Sequence, residues 1–259
     1  MQEYIVDLHT HISKKTNPLI LAEKLSEGIT GLATINEVKG ILSYDDALKL
    51  GELKEIKVTE IKKGIIARIT YGKRTGYFIK TQEILADNHV LALGCKETIP
   101  TLKNPLEVIK KIREKRGFAI LNHPFIKSSK LKIKKYSTLN MKQKERLKEL
   151  FKEADAVEVF NAQCINLLPD FLTFRFMPLL LCAKKANEKA EILAKKLDVP
   201  GTASSDAHKR VNQVHVSGVL VKNFKNFTLK KLFNNIKNKD FELKKQYISR
   251  IDFFKSHFL

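Results

Sequence analysis

The sequence predicts an α/β fold, either a parallel α/β barrel or a doubly wound sheet. Short apolar runs, typical of strands that are covered on both faces, alternate with amphipathic helical segments along the chain. Polar clusters rich in histidine follow several of these runs. With 259 residues the chain has a common length for one barrel domain. A single domain over residues 1–259 is therefore expected, with the basic segment from about residue 222 as its extension.

The first half of the chain alternates in this way. Asn17 can cap a helix whose first turn suits Pro18, and Gly28 suits its end. The turn signal "GKRTG" lies between two β-rich runs and predicts an antiparallel hairpin. The predicted elements are a strand at 3–8, a helix at about 18–27, a strand at 31–35, the hairpin at 64–85 and a strand at 89–94.

The second half continues the alternation. Asn104 and Pro105 start a helix that Gly117 is expected to end. The apolar stretch 165–182 contains two charged residues and two prolines, which argues against a membrane span and favours a buried or partner-facing segment. Predicted strands follow at 118–122, 156–161, 201–205 and 216–221, and predicted helices at about 141–153, 183–197 and 228–237.

Charge and cysteine content limit the environment. The net charge is +20, and residues 127–152 carry ten Lys or Arg against two Glu. Such a surface either binds polyanions such as nucleic acid or is simply a solvated lysine-rich face. Three cysteines without CxxC spacing fit a reducing compartment, and no charged and apolar leader is visible, so a cytoplasmic location is expected.

Four of the seven histidines fall in three short motifs, "VDLHTH", "NHP" and "SSDAH". His9 and His11 point to one side of a strand because the strand period is two, and Asp7 is expected to share that side. Most of the motifs follow predicted strands, where α/β barrels build their active sites. Imidazoles and carboxylates converging there predict a site for zinc, iron or manganese. His215 and His257 lie outside the motifs and are interpreted as structural.

The order of these motifs resembles the PHP (polymerase and histidinol phosphatase) domain family. The motifs that carry the resemblance, which extends from about Tyr4 to about Val221, are "DLHTH", "GLATINE", "QEILADNHVLALG", "LNHPF", "VEVFN" and "GTASSDAHK". The resemblance implies a distorted (β/α)7 TIM-like barrel with two or three metals at the carboxyl ends of the strands. It also implies phosphoester hydrolysis as the usual activity.

The resemblance also implies roles for individual residues. His9, His11 and Asp206 would bind one metal, His89 and His123 a second, and Glu83 would bridge them. A metal-activated water would attack phosphorus, and Glu83 and Asp206 are the predicted catalytic carboxylates, Asp206 as a proton acceptor. The remaining predicted residues are His208 as a further metal ligand, Lys209 and Arg210 as substrate-binding groups, and Glu158 and Asn161 as groups that orient imidazoles or only hydrogen-bond at a strand end.

The sequence departs from the family pattern at the third metal. Asn36 stands where the family has a metal-binding histidine, and "ISKKTN" lacks the acidic residue or histidine that often follows the first motif. We therefore predict two tightly bound metals and a third bound weakly or not at all, unless Glu37 replaces the lost ligand. The favoured function is a metal-dependent phosphoesterase acting on a phosphorylated small molecule or nucleotide. The alternative is a basic PHP-scaffold protein with little or no catalysis that binds nucleic acid or an RNA-protein assembly.

Overall fold

A curved sheet that nearly closes into a barrel organises the chain. The computed structural model describes residues 3–127, 132–133, 140–165, 184–222 and 227–258. Within them, twelve strands form one sheet, and its edge strand Gly201–Ser204 approaches the first strand, Glu3–Ile12, from the other side. Helices cover the outside of the sheet. The fold is a distorted TIM-like barrel of mixed α/β class.

The elements have the following bounds. The strands are β1 (Glu3–Ile12), β2 (Ile29–Ile35), β3 (Ile56–Lys62), β4 (Ile66–Tyr71), β5 (Arg74–Ile84), β6 (Val90–Leu93), β7 (Phe118–Leu121), β8 (Ile126–Lys127), β9 (Lys132–Ile133), β10 (Ala156–Asn161), β11 (Gly201–Ser204), β12 (Ala207–Lys209), β13 (Gly218–Lys222) and β14 (Glu242–Lys244). The α-helices are α1 (Pro18–Leu25), α2 (Tyr44–Leu48), α3 (Pro105–Glu114), α4 (Met141–Glu153), α5 (Lys184–Lys196), α6 (Leu229–Lys237) and α7 (Arg250–Phe258), and short 3₁₀ helices span Lys49–Glu52 and Val211–Gln213.

Strand direction in the sheet explains how its ends meet. The order is β11-β10-β7-β6-β5-β2-β1-β13-β14. The pairs β1/β2, β2/β5, β7/β10 and β10/β11 are parallel, whereas β6 runs antiparallel to both of its neighbours. The start of β6 therefore lies at the same edge of the sheet as the ends of β5 and β7. His89, which immediately precedes β6, joins the site for this reason although it begins a strand.

Most predicted elements are present, and the differences lie at glycines and in unassigned segments. The α1 helix ends at Leu25, and Gly28 instead allows a close approach, since a Cβ there would lie 2.5 Å from the carbonyl oxygen of Ile5. The α3 helix ends at Glu114, and the residue in left-handed conformation after it is Arg116, with φ of 57°, not Gly117. The elements α2, β3, β14 and α7 have no counterpart among the predicted elements. The stretch 165–182 lies outside the described residues except for Ile165, as does much of the basic segment 127–152.

The barrel interior is apolar at the end away from the histidine motifs. Inward side chains of eight strands, among them Val6, Ile29 and Ile79, form one buried cluster with α6. Phe233 of α6 stacks on Phe118 at the start of β7, with ring centroids 4.5 Å apart. The amino ends of the strands are thus closed by a helix, and the polar side chains occupy the carboxyl ends.

Two β-bulges change which side chains face the interior. Pairing between β1 and β2 shifts register by one residue between Asp7 and Thr10, so that Val6 and Leu8 face the apolar interior and His9 and His11 still turn inward beyond them. Gly31 opposite permits this path, because a Cβ would meet the carbonyl oxygen of Leu8 at 2.2 Å. The strands β10 and β11 shift register in the same way between Glu158 and Phe160. Bulges often re-aim side chains next to functional sites.

Candidate metal centre

The structure brings six of the predicted ligands together at the carboxyl ends of the strands. They come from β1, the end of β5, and the loops before β6, after β7 and after β11. Three overlapping groups have ligand atoms within 4.8 Å of one another: His9, His11 and Asp206; His9, His123 and Glu158; and Glu83, His89 and His123. The ligand roles predicted from sequence are thus compatible with the geometry.

The first group surrounds the Nε2 atoms of His9 and His11. These atoms lie 3.0 Å apart, and Asp206 Oδ1 lies 3.4 Å from the first and 3.6 Å from the second. All three side chains are buried. Asp206 adopts a left-handed backbone, with φ of 49°, which directs its carboxylate back toward β1.

The donor set of this group fits a cation. His11 Nδ1 lies 2.8 Å from the carbonyl oxygen of Ala33 and His9 Nδ1 lies 3.0 Å from Glu158 Oε1, so both Nδ1 atoms carry the proton. In neutral rings the two Nε2 atoms then present lone pairs to each other. Asp206 Oδ1 is buried without a hydrogen-bond partner beside them. Lone pairs and an anionic oxygen facing one another repel unless a positive charge lies between them.

Glu83 connects the first group to the second. Its Oε2 lies 3.2 Å from His11 Nε2 and 3.7 Å from His9 Nε2. Its Oε1 lies 2.9 Å from His89 Nδ1 and 3.3 Å from His123 Nε2. Each oxygen of one carboxylate therefore faces a different pair of imidazoles.

Glu158 and Asn161 on β10 hold these groups in place. Glu158 accepts hydrogen bonds from His9 Nδ1, from the backbone N–H of His123 at 2.9 Å and from the hydroxyl of Ser204. Asn161 Nδ2 donates to Glu158 Oε2 at 3.1 Å and to Asp206 Oδ2 at 2.9 Å. The interpretation of Glu158 and Asn161 as orienting groups is the one this geometry favours, since partners of this kind fix the ring and the carboxylate before a metal binds.

The pKa values of the buried groups also indicate that positive charge is favourable at this site. Burial alone would lower the pKa of His9, but Asp206, Glu158 and Glu83 outweigh it and raise that pKa well above its ordinary value. Burial would raise the pKa of Glu83, yet the charge of His9 and hydrogen bonds from the other imidazoles hold it well below the ordinary value. The pKa of Asp206 is lowered to about 2 for similar reasons, against the effect of burial. Both carboxylates are anionic at neutral pH.

The third-metal residues are not members of these groups, although His208 borders the first, with its Nδ1 3.5 Å from Asp206 Oδ1. The pairing of β12 with β1 sets the ring of His208 beside that of His11, with centroids 5.0 Å apart, but His208 is in none of the three ligand groups of the described residues. Asn36 turns its amide to Gln82 Nε2 at 2.8 Å and to Thr101 Oγ1 at 2.9 Å. Glu37 is exposed and also outside these groups. The geometry thus gives no support to Glu37 as a replacement ligand.

The predicted substrate-binding residues lie at the rim. Lys209 ends β12 with an exposed side chain and a left-handed backbone, φ 61°, and Arg210 follows it half-buried. The backbone N–H of Ser13, just beyond β1, donates to the carbonyl oxygen of Lys209 at 3.4 Å. Lys15 is exposed in the same turn. A basic rim therefore borders the side of the centre formed by His11 and His208.

Two buried groups, Asn122 and Asp7, differ from what the sequence predicted. Asn122 donates to Glu83 Oε1 at 3.3 Å, and its position next to His123 in "NHP" was the available signal. Asp7 does not share the side of His9 and His11 as predicted. The register shift in β1 interrupts the strand period, and the Asp7 carboxylate instead accepts the backbone N–H groups of Ser205 and His215. His215 itself hydrogen-bonds Thr30 at 2.9 Å, in accord with its structural interpretation.

Comparison with known proteins gives one family match and several structural likenesses. The family model described as "PHP-associated" matches residues 184–240, which agrees over that segment with the resemblance to the PHP domain family. The chain is similar in structure to PsfC from Pseudomonas syringae, with 16% identity, coverage of 90% of this chain and 88% of that chain, and a TM-score of 0.50. It is also similar to the lesion-specific endonuclease PfuEndoQ from Pyrococcus furiosus, with 15% identity, coverage of 93% of this chain and 58% of that chain, and a TM-score of 0.49. A comparison with curated proteins found no match. The PsfC likeness supports the barrel fold.

Among the described residues, no helix combines the length and the apolar character that crossing a membrane requires.

Proposed function

We propose that the chain is a metal-dependent phosphoesterase with a dinuclear centre bridged by Glu83. The observation that carries the proposal is the division of the Glu83 carboxylate, with Oε2 3.2 Å from His11 and Oε1 2.9 Å from His89. A carboxylate with a different pair of imidazoles at each oxygen is arranged for two cations. Manganese, zinc and iron all suit such nitrogen and oxygen donors.

The residues that would hold the metals divide into two sets. His9, His11 and Asp206 would hold the first, and His89 and His123 the second, with Glu83 shared. Two cations in these positions would lower the pKa of a bound water and neutralise negative charge on the phosphoryl oxygens. The protein's own contribution begins with fixing the imidazoles, which Glu158 and the Ala33 carbonyl do through His9 and His11.

Asp206 is the proposed proton acceptor. Its Oδ1 has no hydrogen-bond partner, whereas its Oδ2 is held by Asn161. Asp206 is anionic at neutral pH, and it would receive the proton of an attacking water whose own pKa the bound cations would lower. Lys15, Lys209 and Arg210 at the rim would bind the remaining phosphate oxygens. Lys209 is the candidate among them to protonate the leaving group, because arginine does not release its proton in proteins.

Metal removal and restoration test the proposal. Protein treated with a chelator should lose hydrolysis of phosphomonoesters and phosphodiesters and regain it with manganese or zinc. Two matched variants sharpen the test. Asp206→Asn should remain inactive when metal is added. Glu60→Gln should stay active, because Glu60 lies on β3 and its carboxylate only accepts hydrogen bonds from Tyr44 and Gly64. Reconstituted protein that hydrolyses no ester in a broad panel would refute the proposal.

A second candidate function rests on charge. The net charge of +20 favours binding of a nucleic acid by a scaffold with little catalysis. The described part of the basic segment weakens this reading, because α4 carries three glutamates beside its five basic residues and Lys148 pairs with Glu145 at 2.7 Å. Nucleic-acid binding by metal-reconstituted protein that hydrolyses no ester of the panel would favour this second candidate.

A further inference from the structure

Asp7 is a buried carboxylate that the proposed chemistry does not use. It lies on β1 with no exposed surface, two residues before His9. Its Oδ1 accepts the backbone N–H of Ser205 at 3.0 Å and its Oδ2 accepts the backbone N–H of His215 at 2.9 Å. Both oxygens therefore accept hydrogen bonds from the backbone of loops that are distant from β1 in sequence, one after β11 and one before β13.

The first of these loops carries Asp206 in a backbone conformation that needs support. Asp206 has a φ of 49°, and a non-glycine residue remains in this region only where its surroundings hold it. The hydrogen bond that Asp7 accepts from the backbone N–H of Ser205 fixes the residue immediately before Asp206. On the other side, Asn161 holds Asp206 Oδ2 at 2.9 Å, which leaves Oδ1 facing the Nε2 atoms of His9 and His11.

The second loop has the same kind of backbone. His215 has a φ of 64°, and its ring reaches Thr30 on β2. One carboxylate thus ties β1, which supplies His9 and His11, to both loops that flank β12. The β-bulge after Asp7 makes this possible, since it allows Asp7 to face away from the metal centre while the histidines face into it.

We propose that Asp7 is a positioning residue, which sets the Asp206 carboxylate for metal binding before any metal arrives and touches neither metal nor substrate. This rests on the metal-binding part of the proposed function and not on hydrolysis. An aspartate is needed because both of its oxygens accept hydrogen bonds. Asparagine would offer one acceptor and place an N–H₂ group against the second backbone donor.

Metal binding by variants tests the role of Asp7, with Zn²⁺ as the probe in competition with a chromogenic chelator. Asp7→Asn should weaken the site that Asp206→Asn also weakens, by about 10- to 100-fold, and leave the other site unchanged. The matched control is Asp155→Asn. That aspartate also accepts a backbone N–H, from Ala119 at 2.9 Å, but lies at the amino ends of β7 and β10, away from the centre. The Asp155→Asn protein should have a lower melting temperature than the native chain and should bind both metals with native affinity.

The native chain supplies a test that does not depend on any variant folding. If Asp7 orders the loop, the amide hydrogens of Ser205 and His215 should exchange slowly in metal-free protein, at least about 100-fold slower than in an unstructured chain. Protection that appears only after metal loading would overturn the proposal, as would native zinc affinity at both sites in a folded Asp7→Asn protein. Equal weakening of both sites by Asp7→Asn and Asp155→Asn would also overturn it. All of these readouts are independent of whether the protein hydrolyses phosphoesters.

Discussion

At the scale of single residues, Glu83 is the one residue that both proposed metal sites share. One buried carboxylate faces four imidazoles, so its charge is the main anionic component shared by the two ligand sets. Replacing it with glutamine keeps the size and removes the charge. A bridging amide cannot offer two anionic oxygens to two cations.

Glu83→Gln should therefore no longer bind the second metal. Its affinity for the first metal should fall by more than the roughly 10- to 100-fold that is typical when a hydrogen-bond partner of a metal ligand is replaced. Hydrolysis should fall with it. The measurement is metal content per chain after dialysis, together with the rate on the best ester of the panel. Two metals retained in Glu83→Gln, with native activity, would show that Glu83 does not bridge.

The third metal position is also decided by single residues. Glu37 is exposed and lies outside the ligand groups of the described residues, so Glu37→Gln should leave two metals bound per chain. Asn36→His would remove the hydrogen bonds that Asn36 makes with Gln82 and Thr101, and it should destabilise the fold by about 1–3 kcal/mol. Urea unfolding and metal analysis check both variants. A native chain with three tight metals that falls to two in Glu37→Gln would contradict this interpretation.

The pKa of His9 gives a pH dependence that metal should reverse. The nearby carboxylates raise this pKa in the folded chain above 6.5, so the bound proton stabilises metal-free protein fully below pH 6.5 and this contribution is lost as pH rises through the raised pKa. Asp7 and His215, with pKa values of about 6 and about 3 in the folded chain, titrate mostly below this range. The melting temperature of metal-free protein should thus fall between pH 7 and pH 9.

Metal-loaded protein should behave in the opposite sense over this range. The cation takes the place of the proton between the imidazoles, and its binding strengthens as pH rises because it no longer competes with protons. Melting curves of both forms from pH 7 to pH 9 make the comparison. Parallel curves with and without metal would show that the cation does not bind at His9.

At the scale of elements, the β-bulge in β1 decides whether the histidines reach the centre. Gly31→Ala would place a Cβ 2.2 Å from the carbonyl oxygen of Leu8, so either the bulge or the β1/β2 pairing must shift. We expect a loss of about 1–3 kcal/mol in the free energy of unfolding and weaker binding of the metal held by His9 and His11.

The control for Gly31→Ala is Gly72→Ala in the β4/β5 turn. Gly72 has a φ of 58° and no atom within 4 Å of an added Cβ, so this change costs only about 1–2 kcal/mol of backbone strain and should leave metal affinity unchanged. Urea unfolding and zinc titration compare the two. Native metal affinity in a destabilised Gly31→Ala protein would show that the bulge does not aim the histidines.

The elements also show what sequence patterns can and cannot predict. The helix α4 and the strand β10 have their predicted bounds, because a cap, a helical period and a continuous apolar run are all local signals. The antiparallel direction of β6 has no local signal, since a buried apolar run reads alike in both directions. The bulges are set by pairing with neighbouring strands, which is why the strand period placed Asp7 on the wrong side.

The candidate site was predictable where one motif held the ligands. His9 and His11, His123, and Asp206 with His208 were evident from short clusters that follow strands. Roles for Glu83 and His89 came from the motif order of a family and not from spacing alone. Asn122 and Ser204 could not be assigned, because an amide and a hydroxyl acquire a role only from the carboxylates that the fold brings beside them.

At the scale of the whole molecule, the excess positive charge predicts polyanion binding at low salt. Counterion release would make this binding weaken between about 50 and 200 mM salt, by orders of magnitude if many phosphates are contacted. Titration of a fluorescent oligonucleotide at several salt concentrations measures the slope. Affinity that is absent at 50 mM, or constant across the range, would refute a role for the basic surface in binding nucleic acid.

The central claim is that the carboxyl ends of the strands hold two cations that share Glu83. A crystal structure of protein loaded with manganese, with anomalous scattering used to locate the ions, tests it most directly. The account predicts two manganese peaks, one bounded by His9, His11 and Asp206 and the other by His89 and His123, with Glu83 contacting both. A single peak, or peaks that Glu83 does not join, would contradict it.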